Sequence, residues 1–392
     1  MKFATRLLAG LFAATAILSA CGGGGGDTPT GTLRLAMTDA PTCGLDRVDV
    51  TVQKVRVHQS SSAADAEAGW SEVVLSPPQR VDLLSLTNGV LTELGQTTLP
   101  VGKYQQLRLV LAANDASNPL ANSITPTGGT ETALTTPSAS QSGLKMNVDI
   151  DVAANKLADF ILDFDACKSF VKVGQSTTWI LKPVIKVMPR LSDAGSRVVG
   201  YVAASIAAGG TNVSVQQNGV VVKSTPPDGT GKFSLYPVPP GTYDLVVNAV
   251  GRSTATITGV PVVDTAFTNI NTNSTPINPP VSTMHSASGS VATGSTPIDA
   301  TVAARKAYTG GPTVVVAAAP VDGGTGAFSL TLPSGAPVKT AYVAGAASLS
   351  FVADGVAPTG KYTLVATSGG ATKPIAIDVT SADWIGSAFT FP

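Results

Sequence analysis

Hydrophobic residues recur at every second position through much of the chain beyond residue 30. Leu33, Leu35 and Met37 alternate with polar or small neighbours, as do Val48, Val50 and Val52. A two-residue period puts one set of side chains on a single face of an extended strand. The phase slips after Val52 and resumes with Val55 and Val57 beyond Lys54, which predicts a bulge. Residues 70–75, 81–86, 107–111, 144–152, 160–164 and 180–187 read as further strands, bounded by Gly, Pro, Asn and Ser. A short helical turn is expected at 91–94. The predicted fold is all-β, a tandem series of antiparallel β-sandwich domains.

Composition divides this pattern. Charged residues make up 13 % of the chain, against ~25 % in an ordinary soluble protein. Residues 31–190 carry 14 basic and 15 acidic side chains, and the two hundred residues after them fewer than twenty charges in all. The step marks a boundary at 191–197, and the Pro-rich stretch 276–280 marks another, since such linkers are stiff spacers. The expected units are 31–190, 197–275 and 285–392. A net charge of zero argues against nucleic acid as a partner.

The N-terminus carries a targeting pattern. Lys2 and Arg6 precede an apolar stretch, residues 7–18, that is too short for a bilayer span of ~20 residues. Leu18-Ser19-Ala20-Cys21 then resembles the bacterial lipobox. The resemblance implies a signal peptide over 1–20, cleaved before Cys21, and diacylglycerol with an amide-linked, palmitate-type chain on that cysteine. Two or more chains anchor stably where one does not. Gly22–Gly26 makes 21–30 a flexible tether. Glycine rather than aspartate at position 22 resembles the enterobacterial signal for the outer membrane, facing the periplasm or the exterior.

The second and third units read as copies of one plan. Gly200-Tyr201-Val202 corresponds to Gly289-Ser290-Val291, and the Asp228–Leu235 turn to the Asp322–Leu330 turn. Pro239-Pro240-Gly241-Thr242-Tyr243 corresponds to Pro358-Thr359-Gly360-Lys361-Tyr362. Asp-Gly and Pro-x-Gly force chain reversals. Each tyrosine then opens a strand with its ring in the core and its hydroxyl available to nearby backbone. A related turn, Pro100-Val101-Gly102-Lys103-Tyr104, lies in the first unit.

Five motifs in order give the first unit a resemblance. They are the segment Gly31–Pro41, Val81-Asp82-Leu83-Leu84, Leu99–Tyr104, Leu162-Asp163-Phe164-Asp165-Ala166 and Leu181-Lys182-Pro183-Val184-Ile185. Together they resemble the "domain of unknown function 4382" family, which implies an exported, often lipid-anchored β domain without an assigned activity. The second unit, and more loosely the third, resembles the carboxypeptidase regulatory-like, transthyretin-type sandwich. That resemblance implies a spacer or binding module and no peptidase.

Candidate chemistry is sparse. Neither His58 nor His285 has zinc-ligand spacing, and no Gly-x-Ser-x-Gly elbow occurs. His58 reads as a surface residue closing its strand. Cys43 and Cys167 are the two cysteines left beside Cys21, and an oxidising compartment favours a disulfide between them, with two buried free thiols as the alternative. Such a bond holds Cα atoms within ~7 Å and brings Asp39 close to Asp163 and Asp165. Three converging carboxylates suggest a hard-cation site for calcium. The alternative is that these aspartates cap turns or pair with Lys156, Lys168 and Arg34.

The expected function is that of a non-catalytic envelope lipoprotein displaying β-sandwich modules for binding or scaffolding, with a glycan or an envelope protein as partner. A calcium-dependent carbohydrate-binding or adhesin module is the alternative. A hydrolase using the acidic cluster is the third reading.

Overall fold

The structure is a computed structural model that describes residues 28–39, 44–174, 177–190, 194–346, 348–355 and 359–392. Its described residues form strands in six sheets joined by turns, with helical segments of only four residues.

In the first domain the strand Thr30–Asp39 lies between Thr92–Pro100, antiparallel, and Leu157–Phe164, parallel, with Ile185–Pro189 outside the latter. A second sheet is built around Leu45–His58, which pairs with Ser71–Asp82, Gly102–Leu111 and Ser123–Pro126. The alternating positions close the core. Leu33, Leu35, Met37, Val48, Val50 and Val52 are all fully buried, each such side chain contributing about 1.5–3 kcal/mol. The register shifts between Val52 and Lys54 in the pairings on both sides, so the phase slip is a bulge.

Three local expectations are corrected. Residues 81–86 are the end of a strand at Asp82 followed by a 3-10 turn, Leu83–Leu86, with the N–H of Leu84 capped by the Asp82 carboxylate. Residues 92–94 open the strand Thr92–Pro100, with Leu91 just before it, in place of the expected helical turn. Residues 180–187 are split between two strands, Trp179–Leu181 and Ile185–Pro189, which lie in different sheets and are joined through residues 182–184. The sheets are also mixed, which alternation does not reveal, because a two-residue period is identical in parallel and antiparallel strands.

The second and third domains have one topology. In the second, Val198–Tyr201 pairs antiparallel with Lys232–Leu235 and parallel with Thr268–Asn269. In the third, Met284–Ala292 pairs in the same way with Ala327–Pro333 and Trp384–Thr390. The larger sheets also correspond. Val220–Thr225, Asn212–Gln217, Gly241–Asn248 and Ala255–Val262 run in the order matched by Thr313–Pro320, Thr301–Ala307, Lys361–Ser368 and Ala371–Asp378. Even the tight approach repeats. Gly231 and Gly326 have positive φ, and a Cβ on either would meet the carbonyl oxygen of Val202 or Val291 at 2.0 or 1.9 Å.

One element breaks the symmetry. The third domain inserts a hairpin, Val338–Ala341 with Val352–Ala353, and this hairpin joins the second domain's sheet, Val338–Ala341 running parallel to Ala255–Thr258. Val338 is buried in the second domain's core, and Val246 of the second domain is buried in the third's.

Candidate functional site

The expected site residues lie at the joint between the first two domains. The strands Thr30–Asp39 and Leu157–Phe164 are parallel neighbours, with Asp39 opposite Phe164 and Thr38 opposite Asp163. The strand ends that precede Cys43 and Cys167 are therefore adjacent, as the sequence suggests. Cys21 and Cys43 lie outside the described residues, as does the side chain of Cys167.

Each aspartate expected to hold calcium has another partner. Asp39 is buried, and its Oδ1 accepts the N–H of Ala166 at 3.0 Å. Asp165 pairs with Lys168, and its carbonyl starts the short helix Ala166–Ser169. Asp163 accepts Lys223 Nζ at 2.6 Å, with both side chains buried, and the same ammonium lies 3.5 Å from the carbonyl oxygen of Asp39. Among the described residues no three His, Cys, Asp or Glu side chains are grouped as a metal ion requires. A lysine of the second domain occupies the place that the acidic pattern suggested for a cation.

That ion pair is one part of a continuous joint. Taking both charges out of water costs several kcal/mol, which close contact offsets only while both partners are present. The pair therefore adds little over apolar packing, but losing either partner strands the other charge. Beside it, Asn88 in the left-handed region donates its N–H to Thr225 Oγ1 at 2.8 Å and accepts the N–H of Ser234 at 3.1 Å. Tyr236 of the second domain packs with Ala36 and Ile161 of the first, and the Arg197 guanidinium lies over its ring at 4.3 Å.

The third domain folds back onto the first. The Asp322 carboxylate accepts the N–H groups of Gly324 at 3.0 Å and Thr325 at 2.8 Å, and the Thr325 hydroxyl at 2.9 Å. It also accepts the N–H of Gly174 of the first domain at 3.2 Å, and Gly323 N–H donates to the Lys172 carbonyl at 2.9 Å. Burial pushes the Asp322 carboxyl up, but these donors together hold it below its ordinary value. Asp228, its counterpart, makes the same self-contained turn with Thr230 and Lys232.

Sequence reasoning misplaced one residue and overlooked another. His58 is buried rather than at the surface, because the loop after it folds back. Its Nδ1 accepts the N–H of Ser60 at 2.9 Å, and the Trp70 ring packs 5.1 Å away. Trp70 is held in turn by the guanidinium groups of Arg56 at 4.5 Å and Arg108 at 4.7 Å. The overlooked residue is Lys306, fully buried in the third domain, donating to the Lys361 carbonyl at 2.8 Å and lying 3.9 Å from the centre of the Tyr362 ring. Burial pulls its ammonium down to about 8. Its position in an alternating strand was the available signal, because it falls on the inward phase.

Among the described residues no helix is long and apolar enough to cross a membrane. No curated protein matches the chain. Solved structures similar to it include a streptococcal ancillary pilin, 12 % identical over 91 % of this chain and 99 % of that one, with a TM-score of 0.17. The major pilin subunit BcpA of Bacillus cereus is 10 % identical over 92 % and 99 %, with a TM-score of 0.15. The family comparison agrees with the motifs of the first domain: residues 30–183 match the family described as "Domain of unknown function (DUF4382)".

Proposed function

We propose that the chain is a non-catalytic envelope lipoprotein, held to the outer membrane by lipid on Cys21, whose β domains form one fixed body for binding or scaffolding. The observation that carries this reading is the way the domains interlock. A buried ion pair joins the first domain to the second, an aspartate turn joins the first to the third, and a shared sheet joins the second to the third. Joints of this kind hold a display surface at a set distance and angle from its tether, which separate modules on flexible linkers do not. We read the second and third domains as two copies of the carboxypeptidase regulatory-like plan, on their common topology and their aspartate turns.

Metabolic labelling with a fatty-acid probe tests the anchor. The wild-type chain takes up label and fractionates with outer membranes, and Cys21→Ser loses both. Label retained on Cys21→Ser overturns the reading. Non-reducing peptide mapping tests the accompanying Cys43–Cys167 bond. A linked peptide pair is expected, and alkylation of both thiols without reductant rules it out.

A further inference from the structure

The equivalence of the second and third domains extends to a surface. In the second, the ladder between Asn212–Gln217 and Val220–Thr225 shifts register at Val215/Gln216. In the third, the ladder between Thr301–Ala307 and Thr313–Pro320 shifts at Ala304/Arg305. Val215 is opposite Leu245 and Ala304 opposite Leu364, and each leucine follows its corner tyrosine by two residues. Gln216 and Arg305 therefore hold the same place on the same bulge, a feature that re-aims a side chain.

Gln216 uses that place to grip the next domain. Its Nε2 donates to the Val315 carbonyl at 2.8 Å, and the Val315 N–H donates to its Oε1 at 2.7 Å. Nearby, Thr256 Oγ1 donates to the Tyr308 hydroxyl at 2.9 Å, and Val246 enters the third domain's core. This face of the second domain is a socket for the edge strand Thr313–Pro320 of the domain that follows.

The corresponding face of the third domain is open. Among the described residues no hydrogen bond or ion pair reaches the side chain of Arg305, and its Nε is buried without a partner. Arg305 lines a concavity of about 620 Å³ with Lys361, Thr363, Asp378 and Trp384, within the ~300–1,000 Å³ range of binding sites. Arg305 and Lys361 stand against the single carboxylate of Asp378 in this lining, so the concavity keeps a cationic excess. Glutamine both donates and accepts, whereas arginine only donates. The occupant must therefore supply acceptors, and a carboxylate matches the guanidinium fork best.

We propose that the face around Arg305 docks an extended polypeptide segment bearing a carboxylate, another protein's β edge, as the Gln216 face docks Thr313–Pro320. Calorimetry on the full-length Cys21→Ser chain tests this, with the peptide of residues 313–318 carrying Val315→Glu as the probe. The peptide is expected to bind and to change Trp384 fluorescence. The Val315→Gln peptide, or the protein variant Arg305→Met, weakens binding by roughly tenfold or more, as the loss of a charge-assisted hydrogen bond requires. Arg305→Lys, which keeps the charge without the fork, falls between. Equal binding of the acidic and neutral peptides, undiminished binding to Arg305→Met, or no peptide binding overturns the proposal. So does binding of digalacturonate through Arg305 in the absence of peptide binding, which would make the concavity a sugar-acid site.

Discussion

The second and third domains share a topology and finish it differently. In the second, the strand Ala255–Val262 is covered by a hairpin borrowed from its neighbour. In the third, the matching strand Ala371–Asp378 is an edge, mostly exposed, and it carries Lys373 and Pro374. A lysine and a proline are common means of blunting an edge against further pairing. One copy depends on its surroundings and the other is self-protecting. The same divergence appears at a single side chain. Gln217 in the second domain is exposed and donates to the Thr242 carbonyl at 3.2 Å. Lys306 makes the equivalent bond to Lys361 from a fully buried position. A shared plan thus fixes the ladder and the turns while leaving each edge and each contact face free to specialise.

The dependence of the second domain is tested most severely at its joint with the first. Asp163→Ala strands the Lys223 ammonium in a dry setting, at an expected cost of about 3–5 kcal/mol in urea unfolding. Asp163→Leu combined with Lys223→Met should recover most of it, because two apolar side chains leave no unpaired charge. A loss under ~1 kcal/mol would mean that water reaches the pair and that the joint is weaker than its geometry suggests.

The third domain's own oddity is read by pH. With its ammonium pulled down to about 8 by burial, from an ordinary value of 10.5, Lys306 is neutral in the folded chain at pH values where the unfolded chain still holds the proton. The unfolded state binds more protons in that window, so stability rises with pH from about 8 to 10.5, by about 3 kcal/mol in total. Below pH 8 the penalty is constant. Lys306→Met should remove the slope and stabilise the domain at neutral pH, and thermal melts across this range decide it. An unchanged slope in that variant would assign the effect to another group.

Strand sharing makes an intermediate prediction. Val338→Ala is expected to cost about 2 kcal/mol and to be felt across the domain boundary, as faster amide exchange over 255–258. If protection changes only within 284–390, the borrowed strand does not support the second domain. The smallest effects belong to the corner tyrosines. Tyr243 donates to the Pro239 carbonyl at 2.7 Å and Tyr104 to that of Pro100 at 3.1 Å, so Tyr→Phe at either should cost about 1 kcal/mol. Tyr362 instead reaches Pro333, 29 residues away, at 2.6 Å. Tyr362→Phe therefore loosens the root of the inserted hairpin rather than a local corner.

Much of this organisation was legible in the sequence. Alternation marked the strands, the interrupted phase at Lys54 marked the bulge, and repeated Asp-Gly and Pro-x-Gly turns marked the duplication. What stayed hidden was non-local. Lys223 sits in an ordinary strand pattern, and nothing in its neighbours names Asp163, 60 residues earlier, as its partner. The acidic run around Asp163 and Asp165 is plain in the sequence, but carboxylates look alike whether they await an ion or a lysine. The inserted hairpin, rich in Ala, Gly and Ser, has too weak a period to announce a strand and no local cue that it pairs outside its own domain. The burial of His58 is hidden because alternation describes one sheet face and says nothing of a loop that folds over it.

The borrowed strand also sets an order of events. A ribosome releases residues 255–262 and then Thr268–Asn269 well before 338–341, so between 269 and 338 the second domain has a complete set of its own strands and an uncovered border. Closing it needs a loop longer than the domain's own hairpins, and long-range pairing of this kind is slow. During synthesis the second domain is thus a waiting surface, and a truncated chain ending before Val338 would never stop waiting. Premature termination between Asn269 and Val338 leaves that border of the second domain unpaired, an open edge of the kind prone to further pairing.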